Sequence, residues 1–390
     1  RIVVVDDDEI ALEGTRRALA LAGFARIEAR LDARETLADL SALGPDIVIS
    51  DLLMPGMDGL EFVRAIRAIP AYEHLPILVQ TGFERPEERA GAFEAGASDL
   101  VTKPISPREL VVRVRTLLEN RRLIKQLSVY RQRMDEELRT ASVMQKALLP
   151  KDKVIKTVRR ECGLALDAVY EASLTLGGDI WGLAPLGEGR ALVYIADFSG
   201  HGVAAALNTV RLSTFIERSL DVSARPSALL DQINCFLCGE LPIGQFATML
   251  LGVFDTRGRR FAYATAGADA PIRIAGAARR SEFAPVGGPI LRLSPDARFE
   301  TRSVPFEPGD ELVLYSDGLT EAPHADRPYF TPAQLLSSAS EASRALAAEG
   351  HRGPGVATRL RDELAGAAGR TLTDDLTAVS FRFTEPESDA

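Results

Sequence analysis

Carboxylates in the first hundred residues follow short apolar segments that are typical of β-strands. Asp6 and Asp7 come directly after residues 2–5, and Asp51 comes just after residues 47–49. Such segments alternate with amphipathic stretches, which predicts βα units on a parallel sheet whose strands end at one edge. Three carboxylates crowded at that edge repel one another unless a hard cation neutralises them. The spacing therefore predicts a Mg²⁺ site.

A hydroxyl and an ammonium group are predicted at the same edge. Thr81 ends a third apolar segment, and Lys103 ends a fourth, just before Pro104. A cation and a lysine can neutralise a phosphoryl group while a carboxylate attacks it and a hydroxyl responds to the product. A single acid at such a position is often only a helix cap or a turn residue. Four such elements in order at strand ends favour an aspartyl-phosphate site.

The segments around these residues resemble the response-regulator receiver domain over residues 1 to about 118. The resemblance rests on Val-Val-Asp6-Asp7, Ser50-Asp51-Leu-Leu-Met-Pro55-Gly-Met-Asp58-Gly59, Gln80-Thr81-Gly82 and Thr102-Lys103-Pro104. It implies a flavodoxin-like α/β fold with a parallel five-stranded sheet, and a histidine kinase that phosphorylates the domain. The implied site residues are Asp51 as phosphoacceptor, Asp6, Asp7, Asp51 and the carbonyl of Leu53 as Mg²⁺ ligands, and Thr81 with Lys103 as the switch pair. Leu100 stands where these domains often carry an aromatic switch residue.

Acids recur beside glycines in a second, longer part of the chain. They stand in Gly177-Gly178-Asp179, Asp197-Phe-Ser-Gly200-His201-Gly202, Ser316-Asp317-Gly318 and Asp374-Asp375. Asp197 and Asp317 each follow an apolar segment, and Asp374 closely precedes one. The glycines allow the backbone to approach a ligand. Carboxylates placed in this way can hold two hard cations bridged by a water, an arrangement that favours phosphoester hydrolysis.

These motifs, together with Gln145-Lys-Ala-Leu148-Leu149-Pro150, resemble the bacterial metal-dependent PP2C-type phosphatases of the SpoIIE and RsbU kind over residues 142–384. The resemblance implies an α+β fold, a PP2C-like β-sandwich flanked by helices, that hydrolyses phosphoserine or phosphothreonine on STAS-type anti-sigma-factor antagonists. The implied catalytic ligands of two Mn²⁺ or Mg²⁺ ions are Asp179, Asp197, Asp317, Asp374 and the carbonyl of Phe198. The sequence departs from the family at Gly182, where a second acid is frequent, and at Ala268-Asp269, within the usual Ala-Gly-His motif.

A helical linker is predicted between the two parts. Ser106-Pro107 is typical of a helix start, and residues 108–149 contain neither glycine nor proline. Apolar residues recur there at intervals of three and four, at Leu123, Leu127, Tyr130, Met134, Leu138 and Ala141. This spacing predicts a coiled coil with one stutter, and hence a homodimer, unless the stripe packs on its own domains.

The composition of the 390 residues limits the function further. A formal net charge of −9 argues against a nucleic-acid partner, and no apolar run long enough for a membrane helix occurs. Three cysteines support no disulfide framework and fit a cytoplasmic protein; Cys235 and Cys238 are expected to pack in a core. The predicted domains are a receiver at 1–118, a linker at 119–150, a phosphatase at 151–384 and a polar tail at 385–390. The alternative function is a catalytically silent adaptor with a PP2C-like fold.

Overall fold

The computed structural model describes residues 1–82, 86–220, 225–276, 278–321, 331–365 and 374–384. The chain divides into two compact units, residues 1–135 and 136–390. The tail predicted at residues 385–390 lies outside the described residues. The finer division into receiver, linker and phosphatase segments stays a prediction.

The first unit is built on a parallel five-stranded sheet, as predicted. The strand order is β2-β1-β3-β4-β5, and every neighbouring pair is parallel. The strands are β1 (Ile2–Val5), β2 (Ile27–Arg30), β3 (Ile47–Asp51), β4 (Ile77–Thr81) and β5 (Asp99–Thr102). Alternate residues of β1 enter cores on opposite faces of the sheet, with Val3 and Val5 on one face and Ile2 and Val4 on the other.

Aspartates begin three helices of the first unit. The side chains of Asp8, Asp32 and Asp58 accept hydrogen bonds from backbone N–H groups of the first helical turns, which stabilises helix starts. Asp8 is thus a helix cap. The helices are α1 (Glu9–Leu21), α2 (Ala33–Leu43), α3 (Gly59–Arg67), α4 (Pro86–Glu94) and α5 (Pro107–Lys146). The uninterrupted α5 spans 40 residues, as the lack of glycine and proline predicts.

The second unit contains two antiparallel five-stranded sheets, with strand orders β13-β10-β9-β8-β7 and β12-β11-β14-β15-β6. The strands of the first of these sheets are β7 (Asp179–Gly187), β8 (Arg190–Phe198), β9 (Ala247–Asp255), β10 (Arg260–Ala266) and β13 (Arg302–Pro305). Those of the second are β6 (Leu164–Glu171), β11 (Ile272–Ala275), β12 (Arg280–Phe283), β14 (Glu311–Tyr315) and β15 (Leu376–Phe383).

Helices cover the outer faces of both sheets. Side chains from the two sheets meet in one core around Trp181, Phe254 and Phe381, whereas separate cores join the first sheet to α7 and α8 and the second to α10 and α11. The helices of this unit are α6 (Asp152–Cys162), α7 (Val203–Arg218), α8 (Pro226–Glu240), α9 (Gly318–Glu321), α10 (Pro332–Ala348) and α11 (Val356–Ala365). The predicted sandwich flanked by helices is confirmed.

The prediction that Cys235 and Cys238 pack in a core is wrong. Cys235 is exposed and Cys238 is half-buried, because α8 directs Leu230, Ile233 and Leu237 inward and presents the intervening positions outward. Among the described residues, no helix is both long and apolar enough to cross a membrane.

Candidate functional site

The acids and the lysine predicted in the first unit meet at the carboxyl edge of its sheet. Asp6 directly follows β1, Asp51 ends β3, and Lys103 directly follows β5. Lys103 Nζ lies 2.7 Å from Asp6 Oδ2 and also forms an ion pair with Asp51 Oδ1. Both carboxylates are buried, at 1% and 8% exposure, so the lysine supplies the charge that such burial requires.

Backbone groups hold the other oxygens of these carboxylates. Asp51 Oδ2 accepts a hydrogen bond of 2.9 Å from Leu53 N–H, and Asp6 Oδ1 accepts one of 3.0 Å from Asp8 N–H. Burial lowers the pKa of Lys103, but the hydrogen bonds and charges of Asp51 and Asp6 outweigh it and raise that pKa above its ordinary value. Lys103 therefore stays a cation at this edge.

The remaining predicted residues of this site differ in exposure. Thr81 ends β4 and is buried, whereas Asp7 and Leu53 are exposed. Carboxylate and carbonyl oxygens are the donors that Mg²⁺ prefers, so the residue types at this edge fit that ion. Within the described ranges, however, no three His, Cys, Asp or Glu side chains are gathered as a ready metal site, and here Lys103 joins the two buried carboxylates.

Two acids of the second unit face each other across neighbouring strands. Asp179 begins β7 and stands opposite Asp197 near the end of β8. Asp317 lies two residues after the end of β14, and Asp374 lies two residues before the start of β15, so both acids flank strands of the other sheet. Asp179 is 1% exposed, Asp197 and Asp317 are half-buried, and Asp374 is exposed.

Asp179 is a buried carboxylate whose hydrogen bonds do not satisfy both of its oxygens. Its Oδ2 accepts a 2.7 Å hydrogen bond from Ser316 Oγ, whereas its Oδ1 and the nearby Thr377 Oγ1 are buried without a hydrogen-bond partner among the described residues. Burial, followed by the charge of Asp197, raises the pKa of Asp179 well above its ordinary value, although the hydrogen bond from the Ser316 hydroxyl opposes the rise. A cation would satisfy both the free oxygen and the paired charge.

Asp375 positions the turn before Asp179, a role that the sequence did not suggest. Its carboxylate accepts hydrogen bonds from Ser173 N–H at 2.7 Å, Ser173 Oγ at 3.0 Å and Gly178 N–H at 2.5 Å. A Cβ on Gly177 would come within 2.7 Å of Asp375 Oδ2. Asp375 thus holds the two-glycine turn that precedes Asp179. The only signal in the sequence is the second acid of the Asp374-Asp375 pair.

Gln145 holds the same turn from the end of α5. Its Nε2 donates to Gly177 O at 2.7 Å and to Thr209 Oγ1 at 3.2 Å, and its Oε1 accepts from Gly177 N–H at 3.3 Å. The side chain is buried. The sequence placed Gln145 in a motif without a role; the structure assigns it to the backbone just before Asp179.

The backbone near the carbonyl of Phe198 is tightly packed. Phe198 N–H donates to Gly178 O at 3.2 Å, and a Cβ on Gly178 would come within 2.6 Å of Phe198 O. Gly182, the departure from the family pattern, lies against the ring of Tyr194, which a Cβ at position 182 would meet at 2.2 Å. The site thus brings the Phe198 carbonyl next to the glycine turn and leaves no room for a side chain at residue 182.

Comparison with known families matches both parts of the chain. Residues 187–384 match the family model for Stage II sporulation protein E (SpoIIE), and residues 2–115 match the model for the response regulator receiver domain. Asp197, Asp317 and Asp374 lie inside the first matched range, whereas Asp179 lies eight residues before it.

Two curated relatives, both response regulators, match about a third of the chain. Over 118 residues the chain is 42% identical to response regulator MprA of Mycolicibacterium vanbaalenii, which covers 30% of this chain and 50% of that protein. MprA of Mycobacterium ulcerans is 39% identical over 123 residues, covering 32% of this chain and 52% of that protein. The chain thus spans about half the length of these relatives.

Two solved structures share the fold of more than half of the chain. The SiaA-PP2C domain of Pseudomonas aeruginosa superposes with a TM-score of 0.56 at 22% identity, covering 66% of this chain and 98% of that domain. The RsbU and RsbW domains of Rv1364c from Mycobacterium tuberculosis give a TM-score of 0.50 at 24% identity, covering 57% of this chain and 60% of that structure. At these identities the likeness concerns the fold.

Proposed function

The chain belongs to the SpoIIE family and carries a response regulator receiver domain in residues 2–115. We propose that it is a response regulator whose phosphorylation on Asp51 controls a metal-dependent protein serine/threonine phosphatase. The observation that carries the proposal is Asp179, a buried carboxylate. One of its oxygens has no hydrogen bond within the described ranges, and a second carboxylate, Asp197, lies on the neighbouring strand. A buried carboxylate beside a second, half-buried one destabilises the fold unless it serves to bind a cation.

In the second unit, the residues that would hold two Mn²⁺ or Mg²⁺ ions are Asp179, Asp197, Asp317, Asp374 and the carbonyl of Phe198. Such ions, when bound, acidify a water and neutralise the phosphoryl oxygens of a phosphoester. The chain's own residues keep the ligands in place. Ser316 orients Asp179, while Asp375 and Gln145 fix the turn that precedes it.

In the first unit, Asp51 is the proposed phosphoacceptor, and Mg²⁺ would be held by Asp6, Asp7, Asp51 and the carbonyl of Leu53. Lys103 already lies against Asp51 Oδ1. Once a phosphoryl group from a histidine kinase occupies Asp51, the ammonium is positioned to neutralise it, and the Thr81 hydroxyl at the end of β4 is the proposed partner of the new oxygens. The ion pairs of Lys103 must then rearrange, which is the proposed switch.

Helix α5 is the proposed connection between switch and phosphatase. It begins at Pro107, four residues after Lys103, and ends at Lys146, next to Gln145. Because Gln145 hydrogen-bonds to Gly177, any rotation or shift of the end of α5 acts on the turn before Asp179. On this proposal, phosphorylation of Asp51 changes how well Asp179 is placed for metal binding.

The partners follow from the same proposal. The substrate is proposed to be a phosphorylated STAS-type anti-sigma-factor antagonist, and the chain is proposed to form a homodimer through α5. Leu123, Leu127 and Tyr130 support the dimer because they are 56%, 68% and 64% exposed on the helix. Large apolar side chains at coiled-coil spacing gain stability when a second helix covers them.

The test is hydrolysis of an aryl phosphate and of a phosphorylated STAS-domain protein with Mn²⁺. We expect Asp317→Asn to lose turnover and Asp296→Asn, a matched change at an exposed acid, to keep it. Beryllofluoride, which mimics phospho-Asp51, is expected to change the rate in the wild type and not in Asp51→Asn. Tight binding of the substrate without metal-dependent turnover would contradict the proposal and indicate the silent adaptor.

A further inference from the structure

A polar cavity of about 240 Å³ lies at the far end of the second sheet of the second unit. Its walls come from the starts of β6 and β14, the end of β15 and the loop between α10 and α11. Glu311 begins β14 beside the cavity, and Asp317 follows the end of that strand. At about 3.3 Å per residue, roughly 20 Å of strand separates the cavity from the candidate phosphatase site.

Two arginines give the cavity a positive wall. Arg159 from α6 and Arg382 from β15 both line it, and Arg382 stands opposite Glu311 on the neighbouring strand. Burial, together with the charges of Arg279 and Arg159, lowers the pKa of Arg382, although the charge of Glu311 opposes this. Cations brought together in this way repel one another until an anion joins them.

The two carboxylates that line the cavity, Asp167 and Glu311, accept hydrogen bonds from other residues. Asp167 accepts hydrogen bonds from Thr358 N–H at 2.8 Å and from Thr358 Oγ1 at 2.7 Å, at the start of α11. Glu311 accepts from Arg279 at 2.7 Å and from Ser343 Oγ at 3.1 Å. Glu311 also stands opposite Arg382 across the neighbouring strands, so its charge is shared between Arg279 and Arg382. Three arginines, at positions 159, 279 and 382, thus face the two carboxylates that line the cavity.

His351 adds a polar atom that lacks a partner. Its Nδ1 is buried and makes no hydrogen bond among the described residues, although the residue lines the cavity. Its backbone has a φ of 60°, a left-handed conformation that non-glycine residues rarely adopt. Ser380 Oγ, also on the wall, accepts from Ala357 N–H at 3.3 Å and donates to no acceptor in the described ranges. A buried unpaired atom beside a polar cavity indicates a missing ligand.

We propose that this cavity binds a small oxyanion, either inorganic phosphate or the phosphate group of a small metabolite. Arginine pairs well with phosphate oxygens, and the Ser380 hydroxyl and the His351 ring can each donate to one. The volume equals that of about eight water molecules, at about 30 Å³ each, which suits a phosphate with a few waters or a phosphorylated three-carbon compound. The inference does not depend on the proposed phosphatase activity.

The test is calorimetric titration of the full chain, with EDTA present so that no divalent ion at the acidic sites binds phosphate. Inorganic phosphate and glycerol phosphate are titrated separately. We expect saturable binding of one of them, weakened about tenfold or more by Arg159→Gln and by Arg382→Gln, because each change removes a charged hydrogen bond. Arg160→Gln, an exposed neighbour paired with Glu161, is the matched control and should bind as the wild type does.

The two titrants identify the source of the oxyanion. Binding of phosphate alone indicates the free ion, whereas tighter binding of glycerol phosphate indicates a metabolite. Because Arg159 is exposed, its replacement leaves the fold intact even if Arg382→Gln unfolds the unit. Absence of binding of both titrants, or equal affinity in Arg159→Gln and Arg160→Gln, would overturn the proposal.

Discussion

Truncation of Gln145 is expected to loosen the glycine turn before Asp179. In Gln145→Ala, the hydrogen bonds to Gly177 O at 2.7 Å and from Gly177 N–H at 3.3 Å are both lost. Gly177 is buried, so its backbone groups are left without partners unless water enters. The Thr209 hydroxyl loses the hydrogen bond from Gln145 but still donates one of 2.7 Å to Ala206 O.

The expected loss in the free energy of unfolding follows from these contacts. A buried polar group left unsatisfied costs about 1–3 kcal/mol, and the 3.3 Å bond from Gly177 N–H is long and contributes less than the bond to its carbonyl. We therefore expect Gln145→Ala to lower the free energy of unfolding by about 2–4 kcal/mol. If the loss is local, exchange of the Gly177 amide hydrogen should accelerate by about thirtyfold or more.

The assay uses the only tryptophan of the chain. Trp181 is 4% exposed in the core between the sheets of the second unit, so its fluorescence reports unfolding of that unit in urea. Hydrogen exchange of the peptide around Gly177 measures local opening. Gln132→Ala is the control, because Gln132 is exposed on the same helix and should change stability by less than about 0.5 kcal/mol. Equal urea midpoints and equal exchange in the two variants would refute the reasoning.

Three further predictions concern packing, pH and assembly. Gly182→Ala should destabilise the second unit by about 1–3 kcal/mol, because its Cβ meets the neighbouring tyrosine ring, whereas Gly239→Ala, with open space on α8, should stabilise it by up to about 1 kcal/mol in the same urea assay. Burial raises the pKa of Glu311 above its ordinary value of 4.5, so the stability that its protonated form contributes is present below pH 4.5 and lost as the pH rises through the raised pKa. Glu311→Gln should flatten that part of the pH profile of urea unfolding; an unchanged profile would contradict it. Leu127→Lys, a change on the exposed stripe of α5, should shift sedimentation from dimer to monomer, and an unchanged sedimentation coefficient would argue against the proposed dimer.

Features that depend on neighbouring residues were predictable from the sequence. The parallel sheet of the first unit follows from short apolar segments that alternate with amphipathic ones, and its strand ends bring Asp6, Asp51 and Lys103 together as expected. The long α5 follows from the lack of glycine and proline. In each case one local pattern determines the element.

Features that depend on distant residues were not predictable. That Asp179 begins a strand and faces Asp197 is a matter of strand register, which spacing along the chain does not reveal. The two acids at positions 374 and 375 look equivalent in sequence, yet Asp374 is exposed and Asp375 is buried under the glycine turn. Only tertiary packing separates a ligand candidate from a residue that positions the backbone.

The pairing of β6 with β15 has a consequence for synthesis of the protein. These neighbouring strands are far apart in sequence, and the bond between Ser173 and Asp375 joins residues 202 positions apart. The first unit, by contrast, consists of residues 1–135 in one stretch. During synthesis on the ribosome, the first unit can therefore fold early. The second sheet of the second unit can form completely only after β15 has been synthesised. A nascent chain that ends before Asp375 lacks the carboxylate that accepts the hydrogen bond from Gly178 N–H. The proposed phosphatase site is therefore completed only after the first unit, with the proposed switch, has been synthesised.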